Sequence, residues 1–236
     1  EQVLKTHPSR YETRSNLGTL LFFASRLDES KQHIRRALEI NPEAHFGREQ
    51  YQLLLTEYLQ QSEYKTAGVM STEDRYPNFG ALGFARYVVV RRFGDDERAK
   101  EFGWFHDEKF ARPRMEELKK AARGVLGMMH FADHQSPILL EALGDVLIAG
   151  TQDNDALIAA RAYLRAAQVT SDAAAAKRFE SMARQALAQH EEYIPKSFRD
   201  EEDINVKKLT NELEAELTKA NEWFKGISAN EQRWIA

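Results

Sequence analysis

Apolar residues between Tyr11 and Ala24 fall at Leu17, Leu20, Leu21 and Ala24, a single stripe at helical spacing. The stripe breaks at Leu27-Asp28-Glu29, where Asp28 is placed to cap a second helix and acidic residues suit its first turn. That helix turns Ile34, Ala37, Leu38 and Ile40 inward and stops at Asn41-Pro42. Proline cannot continue a helix, and it disfavours helical geometry in the residue before it. A third helix is predicted over 43–60, burying Tyr51, Leu54, Leu55 and Tyr58. The stretch 61–112 reads differently. It holds five of the chain's 12 glycines (Gly68, Gly80, Gly83, Gly94, Gly103) and the apolar runs 83–90 and 102–105. This predicts an insertion of short helices or extended pieces whose aromatics, Trp104 and Phe105 among them, anchor it to the body. Helical periodicity resumes at Pro113, a good first-turn residue, and runs to Phe131. Ser136-Pro137 opens the next helix, to Gly150; Asp153 or Asn154 opens another, to Val169; and Ser171-Asp172 caps an alanine-rich helix to His190. After the break at Tyr193-Ile194-Pro195, Asp200 starts a long helix to Lys225. Ser228 with Glu231 makes a capping box for a short tail. The chain is predicted to be all-α.

Composition adds bounds to this pattern. With 236 residues, 42% hydrophobic and 30% charged, the chain can bury a sizeable core in one large domain or two small ones. A formal charge of −4 gives no global argument for nucleic acid or anionic membranes. No apolar run approaches the ~20 residues of a membrane span. The absence of cysteine excludes disulfides, thiolate metal sites and a cysteine nucleophile. The first residue is Glu1, as a removed signal peptide or anchor, or a trimmed boundary, would leave it; compartment and oligomeric state stay open.

Internal repetition sharpens the fold. Residues 11–44 contain Leu17-Gly18, Leu21, Leu27, Ser30, Ile34, Ala37 and Asn41-Pro42, and Leu143-Gly144, Leu147, Ala159, Tyr163 and Ala166 follow the same order. This pattern resembles the tetratricopeptide repeat family, over 11–60 and 113–170. Two antiparallel helices approach closely only where a side chain is small, and large apolar residues fill the space around that contact. The usual aromatic of the first helix is replaced by Arg14, and Ser30 stands where alanine is usual. The resemblance implies a superhelix of about three antiparallel helix pairs. A repeat domain spans 1–190, with its middle pair split by the insertion 61–112, and a C-terminal helical extension spans 191–236.

The family's members are binding scaffolds, so the resemblance implies a non-catalytic protein–protein interaction role, with a peptide or protein segment held in a concave groove and no cofactor. The groove-facing positions fall on Glu12, Ser15, Thr19 and Phe22, then Phe46, Glu49, Leu53 and Thr56, then Ile138, Glu141, Asp145 and Ile148. The carboxylate-clamp members of the family need lysine, asparagine and arginine there; these positions are acidic, small or apolar instead. The expected occupant is therefore an apolar, mildly basic segment, from a partner or from the chain's own insertion.

Other chemistries have thinner support. His130, Asp133 and His134 could offer three ligands to a metal-dependent hydrolase, but no glutamate base follows His130 as in H-E-x-x-H. The run also lies at a predicted helix end, where histidine is favourable on dipole grounds alone. His45 with Glu49, and His106 with Asp107 and Glu108, lack a third member. No nucleophile elbow or phosphate loop is present. Arg86, Arg91 and Arg92 around Tyr87 and Phe93 hint at nucleic acid, but Asp95, Asp96 and Glu97 follow at once. No enzyme, no bound metal and no nucleic-acid partner are expected. In the C-terminal helix, Leu209, Leu213, Leu217, Ala220 and Phe224 form a stripe that folds back on the body or pairs with another helix.

Overall fold

A computed structural model describes residues 2–61, 83–94, 108–150, 155–193 and 206–235. The described residues form ten α-helices and one 3-10 turn, with no strand. A short α1 (Gln2–Thr6) precedes α2 (Tyr11–Phe23) and α3 (Leu27–Ile40), which pack as a pair. The turn between them is closed by hydrogen bonds from Ser25 N–H to Phe22 O (3.0 Å) and Arg26 N–H to Leu21 O (2.9 Å). Those bonds satisfy two of the carbonyls that a helix end leaves free, and they hold Ser25 in the left-handed region at φ 59°. Asp28 is no cap: α3 begins one residue before it, and Asp28 instead accepts from Lys31 and Gln60.

The third helix starts later than its periodicity predicts. Ala44–Gly47 form a 3-10 turn, and α4 runs from Arg48 to Leu59. Its entry is set by two residues at positive φ, His45 (48°) and Gly47 (74°). The helical spacing of 43–60 therefore overran a reversal that only backbone conformation reveals.

Within the expected insertion, α5 (Gly83–Phe93) is a full helix that ends at Gly94, whose φ of 83° suits glycine. Phe84, Ala85, Val88 and Val89 are all fully buried on one face of it. Burying these four side chains contributes on the order of 6–8 kcal/mol before entropy is counted. Trp104, Phe105 and His106 lie outside the described residues, as do Asp95, Asp96 and Glu97. The next helix, α6 (Glu108–Phe131), begins five residues before Pro113, which sits in its second turn. Proline removes one main-chain hydrogen bond there. The burial of Ala111 and Arg114, whose guanidinium lies 5.3 Å from the Phe93 ring centre, carries the helix through it.

Helices α7 (Pro137–Gly150), α8 (Asp155–Val169) and α9 (Ala173–Tyr193) follow, with Asp172 Oδ1 accepting from Ala174 N–H (2.8 Å) and Ala175 N–H (3.2 Å) as predicted for a cap. The expected starts Asp153 and Asn154 lie outside the described residues. Finally α10 (Val206–Ile235) runs unbroken through Gly226 and Ser228, so the tail is no separate helix. A glycine in an exposed helix interior costs about 1 kcal/mol, too little to break one by itself. Asp200, its expected start, lies outside the described residues.

Neighbours in the chain are neighbours in space. α3 packs on α4, α4 on α6, α6 on α7, α7 on α8 and α8 on α9, while α5 lies against α4, α6 and α7. One apolar cluster joins α4, α5, α6 and α7 around Leu55, Phe84, Leu118 and Leu139, with Phe22 of α2. A second joins α7, α8, α9 and the start of α10 around Tyr163, Phe179 and Leu209.

Three of these contacts depend on glycine. A Cβ on Gly18 would stand 2.5 Å from Ile34 Cδ1 of α3, and one on Gly144 2.5 Å from Tyr163 Cζ of α8. Both glycines thus meet a large residue of the following helix, in corresponding surroundings. In the α4–α6 contact the small residue is on the second helix: a Cβ on Gly124 would stand 2.7 Å from Tyr51 Cδ2.

Candidate functional site

The polar residues picked out along the chain gather in two buried centres. The first lies between α2 and α4. Glu49 is 1% exposed, and its Oε1 accepts from Ser15 Oγ (2.7 Å) and Arg48 Nη2 (2.8 Å) and meets His45 Nδ1 at 2.7 Å. Tyr11 Oη lies 2.9 Å from the same His45 nitrogen. Burial would raise the Glu49 carboxyl. The hydrogen bonds from His45 and Ser15, the Arg48 charge and the Tyr11 hydroxyl outweigh burial and hold it down at about 2. Tyr11 is pushed above its ordinary value by burial and by the Glu49 carboxylate. A turn further along, Thr19 Oγ1 donates to Ser15 O (3.0 Å) and approaches Gln52 Oε1 (3.3 Å), and Thr56 Oγ1 donates to Gln52 O (2.7 Å).

The second centre is Asp145 on α7, 2% exposed. Tyr163 Oη donates to its Oδ1 at 2.8 Å, and the main-chain N–H of Phe84 donates to its Oδ2 at 2.9 Å. That N–H is among the first of α5, so the carboxylate sits where a helix presents unpaired donors and the positive end of its dipole. Two further carboxylates hold α5 along its length. Glu57 of α4 takes Arg91 Nη2 (3.2 Å) and Tyr87 Oη (3.2 Å) from α5 and Arg35 Nη2 (2.7 Å) from α3. Glu117 of α6 takes Arg92 Nε (2.8 Å) and Tyr51 Oη (3.0 Å). Tyr51 is raised above its ordinary value by burial and by the Glu117 charge.

Set against the twelve groove positions, this arrangement brings Ser15 and Glu49 together and places Thr19 beside them. Glu141 lies apart, paired with Arg178 of α9 at 3.0 Å. Phe22, Ile148 and Thr56 are buried in the packing of the body. Glu12 is exposed, Thr19 and Leu53 are half-buried, and Ile138 is 36% exposed. The side chain of Phe46 lies outside the described residues. Ser15, Glu49, Thr56, Glu141 and Asp145 therefore lie in seams between helices with their polar atoms engaged inside the molecule, α5 covering Asp145, while Glu12 and Ile138 face solvent.

Glu57, Glu117, Gln52 and Arg178 are absent from the sequence expectation. Their positions carry no motif, and their roles follow from where α5 and α9 settle. Only Tyr163, through its place in the repeat pattern, had a signal. The metal hypothesis finds a different geometry. His130 sits in the last turn of α6 against Phe131, with ring centres 4.7 Å apart. The helix ends at Phe131, and Asp133 Oδ1 accepts from Gln135 N–H (2.8 Å) in the turn beyond. Among the described residues no three histidine or carboxylate side chains converge on a point that could hold a metal ion. A cleft of about 200 Å³ between α6, α7 and the start of α8 has an apolar floor of Leu118, Ala122, Val146 and Leu147 and holds none of the chemistry considered above.

No protein-family model, curated protein or solved structure matches the chain. No described helix is long and apolar enough to cross a membrane.

Proposed function

We propose that the chain is a non-catalytic scaffold of the tetratricopeptide-repeat type, a curved stack of three helix pairs that binds a helical segment of a partner protein. The pairs are α2/α3, α4/α6 and α7/α8, with α9 closing the last one. The corresponding surroundings of Gly18 and Gly144 support this reading, because both glycines let a first helix nest against the second of its pair.

One observation carries the binding role. The occupant expected from the acidic and apolar groove positions is an apolar, mildly basic segment, and α5 is such a segment. Its Phe84, Ala85, Val88 and Val89 enter the core while Arg91 and Arg92 pair with Glu57 and Glu117. The body thus holds a segment of this chemistry from its own chain, through Asp145 of the predicted positions and through Glu57 and Glu117 beside them, and a partner helix of like pattern takes the same seat in competition with α5. The same pairing favours protein over nucleic acid as the ligand. Two of the three arginines that hinted at phosphate recognition spend their charge on carboxylates.

The test uses a fluorescent peptide of residues 83–94. The intact protein, whose seat is filled, takes up little of it. A Phe84→Ala variant, with α5 loosened, binds it with a dissociation constant in the micromolar range. A Phe84→Ala protein that stays helical by circular dichroism and still ignores the peptide overturns the helix-binding role.

A further inference from the structure

The first residue of α5 is read more strictly than its apolar face. Gly83 opens the helix at φ 33°, in the left-handed region that glycine enters at little cost. A helix start is ordinarily capped by its own Ser, Thr, Asp or Asn, whose side-chain oxygen accepts one of the first free N–H groups. Here Gly83 follows Leu82, and neither side chain offers an oxygen. Asp145 of α7 supplies it from outside, with Oδ2 accepting the Phe84 N–H at 2.9 Å. That oxygen fills the space a cap of the helix's own would use. A Cβ on Gly83 would stand 2.2 Å from Asp145 Oδ2, 3.2 Å from Asp145 Cγ and 3.0 Å from Tyr58 Oη. The carboxylate has nowhere to move, because Asp145 is 2% exposed and Tyr163 holds its other oxygen at 2.8 Å.

We infer that the seat selects a partner helix without a cap of its own, one that opens on glycine with a large apolar residue next. The inference rests on the helix-binding role proposed above and names the first residues of the segment that fills it. A self-capped helix is refused twice. Its Cβ meets the fixed carboxylate, and its cap oxygen competes with Asp145 for the same N–H. An aspartate cap also brings a second negative charge against a buried one. Behind the glycine, Phe84 is fully buried beside Tyr58, with ring centres 5.9 Å apart, so a small second residue would leave a cavity. Direction is set as well. Arg91 pairs with Glu57 about 12 Å along the axis from Gly83. A helix lying in reverse would present carbonyls to Asp145 where N–H groups are needed.

The test compares acetylated fluorescent peptides on one protein, the Phe84→Ala variant, so that only the ligand changes. The peptide of residues 83–94 should bind, and its Gly83→Ala and Gly83→Ser forms should bind at least about 10-fold more weakly, the loss that overpacking brings. Free in water both substitutions favour the helix, alanine by propensity and serine by capping, so a seat indifferent to the first residue would bind them as well or better. In the intact chain Gly83→Ser should lower the melting temperature by roughly 2–12 °C, although serine is a good cap. Equal affinity of the three peptides overturns the selection and leaves the helix-binding role standing. A Gly83→Ser chain as stable as the parent overturns the selection too. If residues 83–94 fail to bind a Phe84→Ala protein that stays helical, the role falls and the selection falls with it.

Discussion

The Gly144 contact makes a quantitative demand on stability. In Gly144→Ala the new methyl would stand 2.5 Å from Tyr163 Cζ and 2.8 Å from Cδ1. Tyr163 is 2% exposed, so its ring has no solvent to move into, and its hydroxyl is tied to Asp145. Relief therefore demands either a shift of α8 away from α7 or loss of that hydrogen bond. Overpacking of this kind costs about 1–3 kcal/mol, and losing a hydrogen bond to a buried carboxylate adds about 1.5–3. Alanine in a helix interior returns about 1 kcal/mol relative to glycine. With both costs the net expectation is a loss of about 1.5–5 kcal/mol. For a chain of this size that lowers the melting temperature by roughly 3–20 °C at 2–4 °C per kcal/mol. Gly226→Ala is the internal control. Nothing lies within 4 Å of its added methyl, so only the propensity gain applies and α10 should gain up to about 1 kcal/mol of helix stability. Thermal and urea unfolding by circular dichroism measure the first, and hydrogen exchange over 218–230 measures the second. Gly144→Ala as stable as the parent would mean that α7 and α8 do not approach as described, and the argument from close nesting would go with it. Replacing Tyr163 by leucine in the Gly144→Ala background should recover part of the packing loss, which an indirect effect would not allow.

Glu49 gives a prediction in pH. Its carboxyl is held at about 2 against an ordinary 4.5, so the folded state binds the proton more weakly than the unfolded chain. The stabilisation, about 3 kcal/mol, is complete above pH 4.5 and is lost as pH falls through about 2. Glu49→Gln should cost about 2–3 kcal/mol at pH 7, with the gap from the parent closing between pH 4.5 and 2 in urea titrations; parallel curves would remove the buried charge from the account. His130→Ala should leave stability within about 0.5 kcal/mol and change no metal content measured by mass spectrometry, since its ring lies on the exposed end of α6. Stoichiometric zinc in the parent that disappears in the variant would contradict this.

Much of the helical layout was legible because local physics sets it. The ends of α3 at Asn41-Pro42, α7 at Pro137 and α9 at Asp172 follow from proline's missing donor and from a cap that satisfies free amides, and neither depends on distant contacts. The errors fall where distant contacts decide. Gly47 and His45 reverse the chain before α4 in a conformation that helical spacing does not encode. Pro113 reads as a start until the burial of Ala111 and Arg114 carries α6 past it. α5 was hidden for a similar reason. Its Phe84, Ala85, Val88 and Val89 face α4, α6 and α7, but Tyr87 and Val90 are also apolar, so the polar side that marks a surface helix is short.

The candidate site was legible only in part. Of the predicted groove acids only Asp145 meets α5, through the Phe84 amide; the carboxylates that take the α5 arginines, Glu57 and Glu117, carry no motif and were not among the predicted positions. Exposure depends on what else the chain can bring to them, and here α5 arrives from more than fifty residues upstream to cover Asp145. A carboxylate buried under an unpaired helix N-terminus is costly to uncover: with α5 gone, Asp145 keeps Tyr163 but loses the Phe84 amide. A competing helix must supply an equivalent donor at its own first turn. On the proposed helix-binding role this requirement, more than apolar area, selects the partner, and a peptide of residues 83–94 N-methylated at Phe84, which lacks that N–H, should compete less well than the unmodified peptide.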